Sequence, residues 1–422
     1  MHTYRGVFGS HVANTLRRLK RLSNFYQVKP KFVLTSATIG NPKELAEQLI
    51  EEPVTIIDDD GSARGARNFI IYNPPIVDKE LGIRASLTQE SLRLAEDLLL
   101  YHIQTIIFGR TRRTVEILLR SIKPSFSNLD GNSIVQAYRS GYLPRQRRAI
   151  ERGLRDGSVQ AVIATTALEL GIDIGQMGAA LLAGYPGTIA GTWQQAGRAG
   201  RGQESSLAVL VTSASPLDQF LARHPDFFFD SSPEQALINP DNPLILLGHL
   251  QCATYELPFE QTETYGDLGW HEISEYLEYL RGMGIIHKSG GKFFWMAENF
   301  PASAISLRSA SPNNILLQSY EDGKSITIGE VDRESAPWMV HPDAVYIHQG
   351  ETYLVDELDL DGNLARMRPV EVDFFTRAQR ETEIQQIELI EETTTTGCSK
   401  SCGEILVTSQ VIGYRKVRWG TN

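Results

Sequence analysis

The sequence predicts an α/β protein built on a parallel sheet, followed by a winged-helix-like domain and a small β-rich domain. Between residues 69 and 211, short apolar segments alternate with amphipathic helical segments, a pattern typical of parallel sheets with helices on both faces. From 244 to 295, two helical segments precede a hairpin pattern with a Ser-Gly-Gly turn. From 311 to 375, short apolar segments separated by polar turns favour strands.

The parallel sheet is predicted from its individual segments. Predicted strands cover 69–72, 105–108, 133–137, 160–164, 179–182 and 207–211, and predicted helices cover 88–102, 111–122 and 144–155. In open sheets of this kind, ligands bind at the carboxyl ends of the strands. The loops that follow these strands are therefore where we expect the functional residues.

The segment before the sheet has its own pattern. Residues 12–22 predict an amphipathic helix that carries a cluster of basic residues, Arg17, Arg18, Lys20 and Arg21. A strand is predicted at 31–34, followed by the turn Ser36-Ala37-Thr38. A helix is then expected to begin near Pro42, because proline suits the first helical turn.

Composition limits the class of protein. With 422 residues, 41% hydrophobic and 22% charged, the chain is long enough for two to four domains. Its formal net charge of -10 argues against a uniformly basic nucleic-acid coat but leaves room for a local basic groove. No apolar run reaches membrane length and no signal peptide is recognisable, so we expect no membrane partner and a cytoplasmic location.

The cysteines predict neither a disulfide framework nor a metal site. There are three, Cys252, Cys398 and Cys402, and this scarcity fits a reducing compartment. The spacing of Cys398 and Cys402 is compatible with zinc ligands, but no second pair follows. We therefore predict no bound metal in these residues.

Residues 194–201 read Gln-Gln-Ala-Gly-Arg-Ala-Gly-Arg and place Arg198 and Arg201 three apart on a predicted short helix. This spacing directs both side chains the same way. A guanidinium combines a permanent charge with a planar fork of donors, which suits contact with the γ-phosphate of a nucleotide. Gly197 and Gly200 would let the backbone approach closely. The alternative is an Arg/Gly-rich surface turn.

Three other strand ends carry polar residues. Thr165 and Thr166 follow the strand at 160–164, and Gly171 and Asp173 come next, a combination of hydroxyls, glycine and carboxylate that suits phosphate and ribose. Another strand runs into Arg110, Thr111 and Arg112, and the strand at 31–34 ends in Ser36-Ala37-Thr38. The predicted helix at 144–155 adds Arg145, Arg148, Arg152 and Arg155 on one face, which is either a solvated surface or a track for a nucleic-acid backbone.

In this order, the four loops resemble motifs III, IV, V and VI of superfamily-two helicases. Residues 2–12, His-Thr-Tyr-Arg-Gly-Val-Phe-Gly-Ser-His-Val, resemble the sequence after the Asp-Glu of motif II in the bacterial mitomycin-repair helicases (YprA/MrfA type), which are kin of the RecQ-four-like helicases. Residues 341–355, which begin His-Pro-Asp-Ala-Val-Tyr, resemble the same family. The resemblance covers nearly the whole chain.

The resemblance implies a domain plan. A remnant of a first RecA-like domain would occupy 1–53 and a second RecA-like helicase domain 54–230. A winged-helix-like domain would follow at 231–310, a β-rich domain at 311–375, and the start of a truncated carboxy-terminal domain at 376–422. The zinc cysteines of the family would lie beyond this chain, so Cys398 and Cys402 should not inherit that role.

The resemblance also implies roles for individual residues. Arg198 and Arg201 would act as arginine fingers, with Gln194 beside them and with His2 as the last residue of a DExH box. Asp173 would contact the ribose, with Gly171 in the same cofactor-binding loop. Ser36 and Thr38 would link hydrolysis to movement between domains. The residues expected to hold the nucleic-acid strand, independently of its sequence, are Arg110, Thr111, Arg112, Thr165 and Thr166.

The implied activity is DNA unwinding coupled to ATP hydrolysis, with Mg²⁺ as the metal of the nucleotide and with single-stranded and forked DNA as partners. No G-x-x-x-x-G-K-[ST] segment occurs in the 422 residues, and the acids of motif II would precede Met1. We therefore expect negligible ATPase activity from the chain alone, and a separately encoded amino-terminal half is one possible partner. The alternative is a non-catalytic nucleic-acid-binding module that keeps the fold.

Two aromatic and histidine clusters have alternative interpretations. Phe293, Phe294 and Trp295 in the predicted hairpin could stack on a base pair, although hairpin aromatics more often fill a core. His341 and His348 are not spaced for a shared metal face on a helix, so structural roles are expected.

Overall fold

The computed structural model describes residues 1–59, 61, 65–126, 134–169, 175, 177–200, 205–305, 307, 314–321, 324–395 and 397–418. Most of its helices lie in the first 300 residues. The α-helices of these residues are α1 (Gly6–Phe25), α2 (Pro42–Ile50), α3 (Leu87–Leu100), α4 (Arg112–Ile122), α5 (Pro144–Asp156), α6 (Ile189–Ala196), α7 (Pro216–Arg223), α8 (Pro225–Asp230), α9 (Pro243–Glu256), α10 (Trp270–Gly282) and α11 (Ala336–Met339).

In the described chain, strands occur from residue 67 onwards, and after residue 314 only the short helix α11 interrupts them. They are β1 (Arg67–Tyr72), β2 (Ile76–Asp78), β3 (Ile83–Arg84), β4 (Thr105–Gly109), β5 (Val135–Tyr138), β6 (Ala161–Ala164), β7 (Ala179–Ala183), β8 (Ser206–Val211), β9 (Phe259–Glu260), β10 (Ile286–Ser289), β11 (Lys292–Trp295), β12 (Asn314–Glu321), β13 (Lys324–Asp332), β14 (Val345–His348), β15 (Glu351–Asp359), β16 (Leu364–Pro369), β17 (Phe374–Thr395) and β18 (Cys398–Arg418). The predicted class, α/β with a parallel sheet, is confirmed.

The chain divides into two compact units, residues 1–93 with 176–312 and residues 94–175 with 313–422. Each unit contains parallel strands from the middle of the chain. The predicted domain boundaries are a separate matter and stay a prediction.

In the first unit, β1, β8 and β7 lie side by side and parallel, with Phe69 and Ala180 both opposite Ala208. Phe69 packs against Trp193 of α6 and Phe228 of α8, each with ring centroids 5.3 Å apart or less. Phe228 is fully buried. Residues 225–230 therefore form a short helix that closes this face of the sheet.

Two arginines of the basic cluster on α1 form ion pairs inside the first unit. Arg17 forms ion pairs with Glu51 and Asp241 at 2.6 and 2.7 Å, and its side chain is almost fully buried. Arg21 pairs with Glu263 at 2.6 Å and donates to three backbone carbonyls of residues 253–258. These contacts hold α1 against the winged-helix region, so the two arginines are not available to solvent.

The predicted strand at 31–34 is wrong: these residues have no regular structure, and Val33 is 91% exposed. A strand is stabilised by hydrogen bonds to a neighbouring strand, and no described strand pairs with this segment. The helix that follows is confirmed as α2, with Pro42 in its first turn.

Residues 243–295 form the predicted pair of helices and hairpin. Strands β10 and β11 pair antiparallel, with β9 on the other side of β11. Phe293 is fully buried in the core of this region, whereas Phe294 is 38% exposed. Trp295 is half-buried and packs edge-on against Tyr255. Among the three aromatics considered for base stacking, Phe293 is therefore a core residue.

In the second unit, β4, β6 and β5 are parallel neighbours, and all residues of β4 and β6 are buried. The β-rich region forms a five-stranded sheet in the order β13-β12-β16-β15-β14. Its core contains Ile315, Leu317, Val355 and Met367, each no more than 2% exposed. The predicted β-rich character of this part of the chain is confirmed.

A buried ion pair joins the two sheets of the second unit. Arg139, just after β5, contacts Glu116 of α4 at 2.7 Å, and both side chains are no more than 2% exposed. Arg139 also donates to the Tyr346 hydroxyl at 2.9 Å, and Glu116 accepts from the Tyr142 hydroxyl at 2.9 Å and the Gly350 backbone at 3.0 Å. Burial opposes the charged form of Arg139, but the nearby Tyr346 and Glu116 raise its pKa, so the guanidinium stays charged.

His348 belongs to the same network and is neutral. It lies 3.1 Å from the Arg139 guanidinium through Nδ1, which therefore accepts. Burial, together with the charge of Arg139, lowers the pKa of His348 to about 3. His341 is also buried and stacks on Tyr414. Both histidines therefore have the structural contacts that the sequence suggested.

The last described strands form one long hairpin. β17 has 22 residues and β18 has 21, paired antiparallel from Phe374 opposite Arg418 to Thr395 opposite Cys398. For this region the sequence predicts a hairpin or loop at 391–397 and strands at 405–407 and 414–419. A hairpin forms there, and both predicted strands lie in β18, except for residue 419, which is outside the described residues. Repeated Thr and Ile residues favour extended backbone, and each strand satisfies the hydrogen bonds of the other. Cys398 and Cys402 are both exposed.

The Arg139–Glu116 pair predicts a large loss of stability on removing one charge. We expect Glu116→Gln to lower the free energy of unfolding by about 3 kcal/mol, because Arg139 is left buried without its counter-charge. Glu278→Gln, which breaks surface pairs with Arg281 and Lys288, should cost no more than about 1 kcal/mol. Urea denaturation of both variants measures the difference, and equal losses would contradict the assignment.

Two buried histidines predict that stability falls in acid. Burial lowers the pKa of both His249 and His348 to about 3, from an ordinary 6.5. Between these values the unfolded chain binds protons that the folded chain does not, so folding weakens as pH falls from about 6.5 towards 3.

Each such histidine contributes a slope of up to about 1.4 kcal/mol per pH unit. We expect His348→Asn to reduce the slope, measured from urea midpoints between pH 7 and 4, by about one proton. His271→Asn is the control, because that side chain is 91% exposed. A His348→Asn slope equal to that of the unmodified chain would show that His348 does not contribute.

Candidate nucleotide and DNA site

Helix α6 is followed in the sequence by Gly-Arg-Ala-Gly-Arg, residues 197–201, which we call the arginine motif. The amino end of α6 is fixed by two side chains. The Thr188 hydroxyl accepts from the Gly191 backbone at 3.0 Å. The Glu234 carboxylate accepts from the backbones of Ile189 and Ala190 at 2.6 and 3.0 Å. Sequence reasoning missed Glu234, because an isolated glutamate in a Ser-Ser-Pro-Glu segment carries no motif.

The arginine motif begins where α6 ends. The helix stops at Ala196, so the prediction that Arg198 lies on a helix is wrong. Gly197 and Arg198 form a turn, and Ala199 bridges to Met177. Gly200 has φ +80, and a Cβ there would lie 2.2 Å from the Ser206 hydroxyl, so this position requires glycine. The chain therefore leaves α6 and, within four residues, lies beside the segment that precedes β7.

Arg198 is 5% exposed, so its side chain is held within the fold of the first unit. The other residues predicted to touch the nucleotide from these loops, Arg201, Gly171 and Asp173, lie outside the described residues. Their roles stay predictions.

Two predicted site residues, Gln194 and His2, contact the turn of residues 36–38, which contains two others, Ser36 and Thr38. The Gln194 side chain lies 3.5 Å from the Thr38 carbonyl oxygen, at the limit of a hydrogen bond. The Ala37 backbone donates to His2 Nδ1 at 2.8 Å. Ser36 is exposed and Thr38 is half-buried. Residues from three widely separated parts of the sequence are thus in contact within one unit.

His2 acts as an acceptor in this arrangement. Burial, followed by the positive charges of the amino terminus and Arg5, lowers its pKa. A neutral imidazole keeps the Nδ1 lone pair that the Ala37 N–H requires. His2 therefore fixes the backbone of the turn.

In the second unit, two of the predicted DNA loops leave the sheet side by side. Strands β4 and β6 are parallel neighbours with Phe108 opposite Ala164. Arg110 follows the first strand and is exposed, and Thr165 and Thr166 follow the second. Because parallel strands end at the same edge of a sheet, these loops lie together.

The hydroxyls of these loops also make local hydrogen bonds. Thr111 caps α4 by accepting from the Thr114 backbone at 3.0 Å, and Thr165 accepts weakly from the Ala167 backbone at 3.4 Å. Thr166 is exposed. A hydroxyl that accepts a hydrogen bond can still donate its own proton, so these contacts leave a donor for a phosphate oxygen.

Arg112 is directed elsewhere. Its guanidinium forms an ion pair with Asp332 at 3.2 Å and lies 3.7 Å from the Met339 sulfur. These contacts attach α4 to the β-rich sheet. Arg112 is therefore half-buried and committed to its own unit, whereas Arg110 is the exposed cation of this loop.

The arginines of α5 lie together as predicted. Arg145, Arg148, Arg152 and Arg155 line one shallow cleft together with Glu151. All four are exposed. Both interpretations of this face, a solvated surface or a backbone track, remain open.

The described residues contain neither a cluster of metal ligands nor a membrane-spanning helix. No group of three or more His, Cys, Asp or Glu side chains there is arranged to hold a metal ion. None of the helices described above combines the length and apolar character needed to span a bilayer.

Comparison with known proteins defines the class first. Residues 90–203 match the helicase conserved C-terminal domain, and residues 238–310 match the winged helix domain of the ATP-dependent helicase HRQ1. The strand-end loops and the helix pair with its hairpin lie within these two matches. The fold is that of a superfamily-two helicase.

Individual relatives narrow the class. The chain is 46% identical over its full length to the uncharacterized ATP-dependent helicase YprA of Bacillus subtilis, of which it spans 56%. It is 34% identical over 99% of its length to the ATP-dependent helicase HRQ1 of Saccharomyces cerevisiae, of which it spans 40%. A crystal structure of the DUF1998 helicase MrfA bound to DNA and AMPPNP matches all of the chain at 45% identity and a TM-score of 0.88, with 56% of that chain covered.

The chain therefore belongs to the YprA/MrfA type of helicase. It spans about half the length of the relatives it matches.

The adjacent loops after β4 and β6 predict sequence-independent strand binding. We expect Arg110→Glu to weaken binding of the chain to oligo-dT and to a mixed-sequence strand equally, and to lower the slope of log affinity against log salt by about one. Fluorescence anisotropy at several salt concentrations measures both quantities.

Arg223→Glu is the matched control, since Arg223 is also exposed but lies on α7 in the other unit. An unchanged salt slope for Arg110→Glu, or an equal change in the control, would contradict the assignment.

Proposed function

We propose that this chain is the carboxy-terminal portion of an ATP-dependent DNA helicase that translocates on single-stranded DNA, unwinds forked duplex, and acts in DNA repair. Its relatives are named as ATP-dependent helicases, and the matching MrfA structure holds DNA and AMPPNP. The proposal extends these properties to the present chain. In it, residues 54–230 are the second RecA-like domain and residues 1–53 belong to the first.

The observation that carries the proposal is the contact of Gln194 and His2 with the turn at 36–38. Gln194 lies four residues before Arg198, and it reaches the Thr38 carbonyl. A shift of the chain after α6, as when an arginine engages a phosphate, would be passed to this turn. The geometry supports the expected link between hydrolysis and movement.

Within this proposal the roles are divided among the loops. Arg198 and Arg201 stabilise charge on the terminal phosphate, as arginine fingers do. Gly171 and Asp173 lie against the ribose side of the nucleotide. Arg110, Thr111, Thr165 and Thr166 hold the translocating strand, and Arg112 positions the loop through Asp332.

Hydrolysis of Mg²⁺-bound ATP supplies the free energy for unwinding. The 422 residues include no P-loop, whose backbone amides and lysine hold the phosphates in such enzymes. We therefore propose that the chain alone has negligible ATPase activity and acquires it with a P-loop-bearing amino-terminal segment, in one polypeptide or as a partner.

A chimera tests the proposal. We expect the 422-residue chain alone to show no DNA-stimulated ATPase, and a fusion to the amino-terminal segment of YprA to show it. In the chimera, Arg198→Lys should lower kcat about 100-fold or more, because lysine keeps the charge but lacks the planar fork. Arg223→Lys is the matched control and should leave kcat unchanged.

A chimera in which Arg198→Lys hydrolyses ATP at the unmodified rate would contradict the role of Arg198. The burial of Arg198 favours a second candidate, a DNA-binding module without catalysis, because an arginine only 5% exposed can be purely structural. That candidate predicts DNA binding by the chain and a chimera that never hydrolyses ATP.

A further inference from the structure

A cavity of about 330 Å³ lies inside the second unit and is lined by residues of α4, α11, β14 and the first part of β17. Its walls combine arginines with aromatic rings. We call it the arginine–aromatic cavity, defined by Arg113, Arg377, Arg380, Trp338 and Phe375. It is separate from the exposed Arg110 and Thr166, which do not line it.

The charge of this cavity is not balanced by the protein. Five arginines line it against one carboxylate, that of Glu116. Glu116 is engaged by Arg139, and Arg112 is engaged by Asp332. The other three, Arg113, Arg377 and Arg380, form no ion pair with a described carboxylate. Across the hairpin, Arg377 is opposite another cation, Arg415.

Two of these guanidiniums are held against aromatic rings. Arg113 lies over the Phe375 ring, 3.3 Å from its centroid, and Arg380 lies over Trp338 at 5.5 Å. Burial, and next the charge of Arg377, lower the pKa of Arg113 to about 10. Arg113, Arg377 and Arg380 are exposed side chains that an anion can reach, and a cation beside a like charge is stabilised by a bound anion.

The aromatic walls further restrict the chemical class of ligand that the cavity can bind. Phe375 and Tyr346 are buried, while Trp338 is 38% exposed, so part of its ring can be reached from solvent. Guanidiniums bind phosphate oxygens in pairs, and aromatic side chains stack on nucleobases. The volume is at the lower end of the range for small-molecule sites, about 300–1,000 Å³. An acidic peptide would match the charge but would make no use of the open aromatic face.

We propose that the arginine–aromatic cavity binds a single unpaired nucleotide, with its phosphate at Arg113, Arg377 and Arg380 and its base against Trp338. The nucleotide comes from a single DNA strand or from free nucleotide, since both present the same phosphate and base. The site uses no ATP hydrolysis. Apart from Arg112, which is paired with Asp332, it includes none of the residues of the loops after β4 and β6, so it goes beyond the proposed function.

Binding titrations of the full 422-residue chain without ATP test the site. The probe is fluorescein-labelled dT₁₅, with dTMP as competitor. We expect the double variant R377A/R380A to weaken dT₁₅ binding at least tenfold and to lower the salt slope by about two, one for each lost phosphate contact. Trp338→Ala should weaken binding about tenfold with an unchanged slope, because it removes stacking and no charge.

Two further variants separate binding from folding. Trp338→Phe keeps an aromatic face and should retain most of the affinity that Trp338→Ala loses. Lys400→Ala removes a cation from the same hairpin, far from the cavity, and should bind as the unmodified chain does. Thermal unfolding of each variant shows whether the fold is intact.

Displacement of dT₁₅ by dTMP in the unmodified chain but not in R377A/R380A assigns the site to free nucleotide, and the absence of displacement assigns it to a DNA strand. The proposal is overturned if R377A/R380A and Trp338→Ala both bind dT₁₅ with unmodified affinity. It is also overturned if polyglutamate competes as well as DNA and Trp338→Ala has no effect. A failure of Arg110→Glu or of the ATPase chimera leaves these outcomes unaffected.

Discussion

The buried contact between Arg139 and Glu116 is the constraint on which the second unit depends. Two opposite charges removed from water are tolerated only when their hydrogen bonds are nearly complete. Here Tyr142, Tyr346, His348 and the Gly350 backbone satisfy most of them. Because the pair joins α4 to the end of β5, and its partners come from residue 142, from β14 and from the β14–β15 turn, it fixes the β-rich sheet to the parallel strands. Arg139 lines the arginine–aromatic cavity, and one of its nitrogens has no hydrogen-bond partner among the described residues.

The first unit uses charge in a related way. Arg17 and Arg21 of α1 are buried against carboxylates and backbone carbonyls from 241 to 263. Glu234 caps α6 while its own carbonyl accepts from Gly40 at 3.1 Å. The segment around Glu234 therefore contacts both the helix before the arginine motif and residue 40, two residues after the turn at 36–38. The nucleotide-facing half of the proposed site is positioned by such connections as much as by the motif residues themselves.

Much of the fold could be predicted because buried parallel strands are apolar throughout, as in β6 and β7. Pro144, Pro42 and the Ser-Gly-Gly turn marked element boundaries correctly. The predicted strand at 31–34 failed because apolar residues alone do not supply a neighbouring strand. The α1 arginines could not be placed, since their carboxylate partners are distant in sequence. For the site, the sequence identified the strand-end loops as candidates. It could not predict that α6 ends before Arg198 or that Arg112 forms an ion pair with Asp332, because both depend on tertiary contacts.

Among the described residues, the long hairpin of β17 and β18 packs against α11 and β14 near its root. At about 3.3 Å per residue, its 22-residue strand reaches roughly 70 Å from root to tip. Its root supplies Phe375, Arg377 and Arg380 to the wall of the arginine–aromatic cavity. A ligand that draws those arginines inward must tilt the whole ribbon, and a load on the distant tip must in turn reshape the cavity. By thermodynamic reciprocity, ligand binding in the cavity would change the orientation of the hairpin, and a change in that orientation would alter the affinity of the cavity for its ligand.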